Sequence, residues 1–156
     1  MAGRVLLLED DPLVRELVQV VLAAEGCQVS VCDSVQSLRA AARAAEPPPL
    51  ALVDPWGDSY RELAEAERRE IRELAGAVPT IMLTARDWAA WTSAEELGLL
   101  ALVPTPFDVF ELAALVKQSV QRLRLDSQAA RAQSTERRAL SRDALKRLHQ
   151  ARHRLD

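Results

Sequence analysis

The sequence predicts an α/β protein built on a doubly wound, five-stranded parallel sheet. Short apolar segments that suit buried strands recur five times along the 156 residues, and helical patterns separate them. One of these segments, within Val5–Asp11, is a continuous aliphatic run that leads directly into three acids. Such a run is typical of a strand covered on both faces, and alternating strands and helices favour parallel pairing under helices.

The five strand candidates are short and rich in aliphatic residues. They are Arg4–Leu8, Gln28–Cys32, Leu50–Val53, Thr80–Leu83 and Ala101–Val103. Each is followed by turn or capping residues, as expected where a strand of a parallel sheet gives way to a helix.

Capping residues predict where the first two helices begin and end. Asp11 is a favourable N-cap with proline at the next position, so a helix is predicted over Pro12–Glu25, which Gly26 ends. Ser34 is predicted to cap an alanine-rich helix that reaches about Ala45.

The two following helical segments are less regular. Ser59–Glu62 has the form of a capping box and predicts the start of a charged surface helix that reaches about Ala75. The segment Asp87–Leu97 is compatible with one helix, with a late start, or with a break, because Thr92–Glu96 carries further capping signals.

A last helix is predicted from Asp108, and nothing obliges it to stop, since neither glycine nor proline follows Pro106. We therefore expect a body over residues 1–125 and a basic helical extension over residues 126–156. From Arg122 onward, ten Lys/Arg oppose four Asp/Glu, a net charge of +6, while the remainder carries −9. This asymmetry is the main compositional signal.

Nothing in the sequence indicates a membrane or an oxidising compartment. No apolar run is long enough to span a bilayer, and no signal peptide is visible at the start. Cys27 and Cys32 match no metal or disulfide pattern. We expect a cytoplasmic protein with no membrane contact.

Residues that follow the strands form the candidate site, because ligands of open parallel sheets bind beyond the carboxyl ends of the strands. They are Glu9 and Asp10, Asp54, Thr84 and Thr105. Carboxylates so close together repel one another unless a cation lies between them, and oxygen ligands suit a hard divalent ion. Asp54 is the natural nucleophile, since a carboxylate beside magnesium can accept a phosphoryl group.

At these residues the chain resembles the response-regulator receiver domain of two-component signalling, over about Arg4–Leu123. The segments that carry the resemblance are VLLLEDDPLVR (Val5–Arg15), LALVD (Leu50–Asp54), PTIMLTA (Pro79–Ala85) and PTPFD (Pro104–Asp108). The intervals of 44, 30 and 21 residues from Asp10 through Asp54 and Thr84 to Thr105 match the family. The resemblance implies a flavodoxin/CheY-like sheet of strand order 2-1-3-4-5.

The resemblance also implies a role for each residue of the candidate site. Asp54 matches the phosphoacceptor, and Glu9 and Asp10 match the acidic pair that holds Mg²⁺ with it. Trp56 would offer its backbone carbonyl to the metal, and Thr84 matches the hydroxyl residue that binds the phosphoryl group and moves on activation. No cofactor other than Mg²⁺ is implied.

The chain departs from the family in the Pro-Trp-Gly loop that follows Asp54 and at two single positions. Thr105 stands where the family has a lysine, and a hydroxyl donates a hydrogen bond but brings no charge. Leu102 stands at the aromatic switch position. Two functions therefore remain open, an atypical receiver phosphorylated on Asp54 and a phosphorylation-independent pseudo-receiver that serves docking or dimerisation.

The resemblance implies a histidine kinase or phosphotransfer protein as donor, a downstream protein as target, and no enzymatic activity on an external substrate. Trp88 and Trp91 lie three residues apart, so on a helix they share a face. They could form a partner-binding surface or pack inward in place of the missing switch aromatic, and the sequence does not decide between the two.

The C-terminal extension carries a narrow apolar stripe on a charged helix. The stripe comprises Leu140, Ala144, Leu148, Ala151 and Leu155, with Leu145 beside it. Such a stripe favours packing against a second helix, as in a homodimer or on a protein partner. There are two alternatives: the extension binds nucleic acid through its arginines, or it is a solvated tail. The absence of a helix-turn-helix pattern from the sequence weakens the nucleic-acid alternative.

Overall fold

The computed structural model describes residues 3–46, 48–54 and 62–154. Its five strands pair in parallel in the order β2-β1-β3-β4-β5. They are β1 (Arg4–Leu8), β2 (Gln28–Val31), β3 (Leu50–Val53), β4 (Thr80–Thr84) and β5 (Ala101–Pro104). The predicted fold class and strand order are confirmed, and each strand ends within one residue of its predicted bound.

Helices connect the strands along the described chain. They are α1 (Pro12–Ala24), α2 (Val35–Ala44), α3 (Glu65–Ala77), α4 (Ala94–Leu97) and α5 (Val109–His153), with a 3₁₀-helix at Asp87–Trp91 before α4. None of these helices is long and apolar enough to cross a membrane.

The core lies along the central strands of the sheet. Every residue of β3 and β4 is buried, and β1 is buried from Val5 onward, whereas the edge strands β2 and β5 are mostly half-buried. Burial on both faces explains the continuous aliphatic runs of the central strands. The carboxyl ends of these strands therefore adjoin the buried, closely packed core of the sheet.

The start and end of α1 follow the predicted capping chemistry. The side chain of Asp11 accepts hydrogen bonds from the backbone N–H groups of Leu13 and Val14, at 2.9 and 3.3 Å. Gly26 follows the helix with φ +83°, a conformation that costs glycine little and other residues more. Asp11 is thus a structural cap, as predicted, which leaves the preceding acids for the site.

The predicted start of α3 is wrong. The predicted capping box would place Glu62 in the first helical turn, but α3 begins at Glu65, and Ala64 precedes it without a side-chain cap. Ser59 lies outside the described residues. Two acids in the first turn, Glu65 and Glu67, lie near the positive end of the helix dipole.

The ambiguous segment before β5 is broken, one of the outcomes that the sequence left open. The 3₁₀-helix ends at Trp91, and α4 begins at Ala94 after an N-cap at Ser93. The hydroxyl of Ser93 accepts a hydrogen bond from the N–H of Glu96 at 3.2 Å.

The chain divides into two compact units, Met1–Gln121 and Arg122–Asp156. Asp108 caps α5 by accepting hydrogen bonds from the N–H groups of Phe110 and Glu111 at 2.8 and 3.1 Å. In the second unit, every residue from 128 to 154 is exposed to solvent. The boundary predicted at residue 125 stays a prediction.

Candidate functional site

The register between β1 and β3 brings the candidate acids together. Leu8 pairs with Val53, so the two strands end at the same level, and the N–H of Asp54 donates to the carbonyl of Leu8 at 2.9 Å. As a result, carboxylate oxygens of Glu9, Asp10 and Asp54 all lie within 4.8 Å of one another. Among the described residues this is the group of acids, cysteines and histidines that could hold a metal ion.

Glu9 is the buried member of this cluster, with 4% of its surface exposed. Burial raises its pKa from the ordinary 4.5 to about 7, and the negative charge of Asp54 raises it further, whereas a hydrogen bond from the N–H of Asp11 at 3.0 Å opposes the shift. In the metal-free protein, Glu9 therefore keeps its proton to a higher pH than an ordinary glutamate, and its hydrogen bond to Asp54 lowers the pKa of that carboxyl.

Asp54 is half-buried, and burial raises its pKa above the ordinary range. The hydrogen bond from Glu9 and the positive charge of Arg86 both act in the opposite direction. A hard divalent cation fits this arrangement, because three carboxylates at close range supply oxygen ligands and would release the proton of Glu9 when the cation binds.

Arg86 is a member of the site that sequence reasoning missed. Its Nη1 lies 3.9 Å from Oδ1 of Asp54, and only 9% of its side chain is exposed. Its backbone N–H donates to the hydroxyl of Thr84 at 3.1 Å. The available signal was its position, because a basic residue two places after a strand-end hydroxyl lies at the edge where the acids converge.

Thr84 and Thr105 lie beside one another at the ends of β4 and β5. Thr84 pairs with Pro104, and the N–H of Thr105 donates to the carbonyl of Thr84 at 2.9 Å. Thr84 is buried and Thr105 is half-buried, and the bond from Thr105 to Pro106 is cis. Leu102 lies within β5, where it pairs with Met82, is half-buried and packs against the core.

The two tryptophans have opposite environments. Trp88 is 1% exposed and belongs to the hydrophobic core, whereas Trp91 is 70% exposed. Of the two alternatives that the sequence left open, Trp88 therefore packs inward and not on a partner surface, because its indole lies in the core cluster against which Leu102 packs. Trp91 remains a candidate contact residue, and Trp56 lies outside the described residues.

Solved structures share this fold. This chain resembles an adenylate cyclase from Rhodopirellula baltica, with a TM-score of 0.66 and 16% identity. The similarity covers 86% of this chain and 98% of the adenylate cyclase chain. A CheY-like receiver domain from Methanospirillum hungatei gives a TM-score of 0.58 at 18% identity, over 81% and 99% of the two chains.

A third structure is the receiver domain of a sensor histidine kinase from Pseudomonas aeruginosa, with a magnesium ion coordinated in its active-site cleft. It gives a TM-score of 0.55 at 24% identity, over 78% of this chain and 99% of that one. No family model and no curated protein matches the sequence. The five-stranded sheet in order 2-1-3-4-5 and these neighbours together identify the fold of this chain as that of CheY-like response-regulator receiver domains.

Proposed function

We propose that this chain is an atypical receiver that accepts a phosphoryl group on Asp54 and signals through protein–protein contacts. The observation that carries the proposal is the approach of Glu9, Asp10 and Asp54 to within 4.8 Å at the carboxyl edge of a receiver fold. A partly buried carboxylate beside two further acids has the position and the neighbours that phosphoryl transfer to an aspartate needs.

The proposed metal is Mg²⁺, held by Glu9, Asp10 and Asp54. Its support is the set of oxygen ligands and the magnesium ion in the cleft of the Pseudomonas aeruginosa relative. When bound, Mg²⁺ neutralises charge on the phosphoryl oxygens and on the surrounding acids. A contribution from the backbone carbonyl of Trp56 is a prediction from the resemblance.

The proposed reaction is an in-line transfer from a phosphohistidine of a partner kinase or phosphotransfer protein. An oxygen of ionised Asp54 attacks the phosphorus, a P–O bond forms, and the P–N bond of the donor breaks. The electron pair of the broken bond remains on the imidazole nitrogen, which then takes a proton from solvent. The role of the chain is to orient Asp54 and to receive the group, and it acts on no external substrate.

A second function is a pseudo-receiver that binds partners without phosphorylation. The observation that favours it is Thr105, which supplies no charge where the family has lysine, together with Leu102 at the switch position. In this alternative the folded body and the C-terminal helix serve docking or dimerisation, and the acids of the site are structural.

The proposed contacts are a donor kinase, a downstream protein and a second copy of this chain. Trp91, at 70% exposure, is a candidate contact for the downstream protein, since exposed tryptophans often anchor interfaces. The apolar stripe of the second unit is the candidate for self-association. Binding of nucleic acid through the arginines of this unit is the weaker alternative.

The deciding experiment is incubation of the full chain with acetyl phosphate and Mg²⁺, followed by intact-protein mass spectrometry. We expect an adduct with the mass of one phosphoryl group, which is lost on treatment with hydroxylamine because it is an acyl phosphate. Asp54→Asn should form none, and omission of Mg²⁺ should suppress the adduct in the unsubstituted chain.

Asp33→Asn is a matched control, because Asp33 follows β2 at the carboxyl edge and lies outside the acidic cluster. It should form the adduct like the unsubstituted chain. If the unsubstituted chain forms no adduct with Mg²⁺ present, the phosphorylation proposal fails and the pseudo-receiver is favoured.

A further inference from the structure

We propose that Arg86 is the cation that contacts the phosphoryl group on Asp54, in the place of the charge that Thr105 does not supply. The inference rests on the proposed function of Asp54 and deepens it. In this proposal Arg86 stabilises the negative charge of the phosphoryl oxygens, on the side of Asp54 away from the metal-binding acids.

The geometry places the guanidinium against the acceptor. Nη1 of Arg86 lies 3.9 Å from Oδ1 of Asp54, close enough for direct charge interaction and slightly beyond a short hydrogen bond. A phosphoryl group attached to Asp54 would extend oxygens beyond the carboxylate. A planar guanidinium with several N–H donors suits such oxygens.

The side chain of Arg86 is also held in position. Only 9% of it is exposed, so the surrounding protein restricts its rotamers, and its charge is less screened than that of a surface arginine. Its backbone N–H donates to the hydroxyl of Thr84 at 3.1 Å. Arg86 therefore connects Thr84 with the acceptor Asp54.

Among the residues that the structure describes, Thr105 and Arg15 also lie near this edge but make different contacts. Thr105 is neutral, and its N–H donates to the carbonyl of Thr84. Arg15, on α1, directs Nη1 to the backbone carbonyl of Glu9 at 3.3 Å. Within the described part of the chain, it is Arg86 whose guanidinium forms an ion pair with the acceptor carboxylate itself.

This arrangement predicts two opposite effects of removing the charge. Before phosphorylation, the cation of Arg86 repels a metal ion approaching Asp54, so Arg86→Gln should bind Mg²⁺ about three- to tenfold more tightly. During transfer, the same cation stabilises the phosphoryl oxygens, so Arg86→Gln should form the adduct about 10- to 100-fold more slowly at saturating Mg²⁺. A purely structural role would not move the two measurements in opposite directions.

The experiment compares the full chain with Arg86→Gln, Arg86→Lys and the double variant Arg86→Gln/Thr105→Lys. Mg²⁺ affinity is measured by calorimetry, and the rate of adduct formation with acetyl phosphate by mass spectrometry. In this reaction an Asp54 oxygen attacks phosphorus and the P–O bond to the acetyl group breaks, releasing acetate. Circular dichroism and thermal unfolding verify that each variant is folded.

We expect Arg86→Lys to retain most of the rate because it keeps the charge. The double variant should recover at least part of the rate that Arg86→Gln loses, since lysine at position 105 returns a cation to the site. Arg43→Gln, the same charge change on the exposed end of α2, should alter neither measurement.

Three results would overturn the assignment. Adduct formation by Arg86→Gln at or above the unsubstituted rate would remove the charge-stabilising role and leave the proposed function intact. If Arg86→Gln bound Mg²⁺ with unchanged affinity, the guanidinium charge of Arg86 would lie too far from the acidic cluster to act on it. Absence of any adduct from the unsubstituted chain would defeat the proposed function itself, and this assignment with it.

Discussion

Glu9 holds a proton at a pH where an ordinary glutamate is ionised. Its side chain is buried beside Asp10 and Asp54, and burial is the largest cause of its raised pKa. The local acids are therefore not three free charges in the metal-free protein. Metal binding must compete with this proton, so the metal site and the titration of Glu9 are linked.

This linkage predicts how stability depends on pH. The unfolded chain releases the Glu9 proton near pH 4.5, while the folded metal-free chain keeps it to about 7. The folded state therefore binds more protons in this window, and the free energy of unfolding should fall by about 1–3 kcal/mol as pH rises through it.

Urea unfolding in the presence of a chelator, at about pH 5 and about pH 8, measures this fall. Glu9→Gln should remove most of it, because glutamine does not titrate. Mg²⁺ should stabilise the unsubstituted chain more at the higher pH, since the carboxylates are then ionised. Equal slopes for the chain and for Glu9→Gln would contradict the assigned pKa.

Among the elements, local capping chemistry decides some boundaries and long-range packing decides others. Asp11 and Ser34 cap α1 and α2 as their sequence context predicts. The start of α3 does not follow its predicted capping box, and packing of its buried residues Ile71 and Leu74 against the core is the stronger constraint.

A close approach between β1 and α5 gives a test at this scale. A Cβ atom on Gly3 would collide with the side chain of Val120, whereas a Cβ on Gly76 near the end of α3 would meet nothing within 4 Å. Gly3→Ala should destabilise the chain by about 1–3 kcal/mol, as overpacking does. Gly76→Ala should stabilise it by about 0.5–1 kcal/mol, because alanine restricts the unfolded chain.

Denaturant unfolding measures the free energy of unfolding of both variants. The same glycine-to-alanine change should lower this free energy at Gly3 and raise it at Gly76. Adding Val120→Ala to Gly3→Ala should recover part of the loss, because it removes the methyl groups that the new Cβ meets. Equal stability of the two alanine variants would show that the start of β1 shifts away from α5 at little cost.

For the whole molecule, the main distinction is between a packed unit and an exposed one. The second unit is helical, yet residues 128–154 are all exposed, and Leu140, Leu145 and Leu148 are 64–67% exposed. A helix gains most of its stability in proteins from packing of an apolar face. This favours a partner helix for the stripe, and a second copy of this chain supplies one.

Truncation after Leu125 should therefore convert a dimer into a monomer, as measured by sizing with light scattering. Leu140→Gln/Leu148→Gln should have the same effect in the full chain, because it removes two large members of the stripe. Thr135→Gln/Ala139→Gln, on the opposite face of the same exposed helix, is the control and should leave the molecular mass in solution unchanged. A monomeric full chain would refute self-association.

Binding of the full chain to duplex DNA tests the nucleic-acid alternative. If this binding weakens steeply with added salt and is lost on truncation after Leu125, the basic residues of the extension contact DNA phosphates. The salt dependence is the diagnostic, because neutralisation of phosphates by Lys and Arg releases counterions. This outcome would favour the nucleic-acid alternative.

By itself, the sequence determined the alternation of strands and helices, the strand bounds, and the acids that meet at the sheet edge. These follow from local signals, since apolar periodicity and capping residues act over a few positions and parallel strands end at one edge. The identification of Glu9, Asp10 and Asp54 as neighbours needed no knowledge of side-chain contacts.

Only the tertiary structure decided that Arg86 reaches Asp54, that Trp88 is buried while Trp91 is exposed, and that burial raises the pKa of Glu9. Each of these depends on side-chain direction and burial, which are set by segments distant along the chain. The residues next to a charged or aromatic side chain are the same whether that side chain faces solvent or the core. Its environment is therefore decided by tertiary packing. The acidic half of the site is thus a property of the sequence pattern, and its cationic half is a property of the fold.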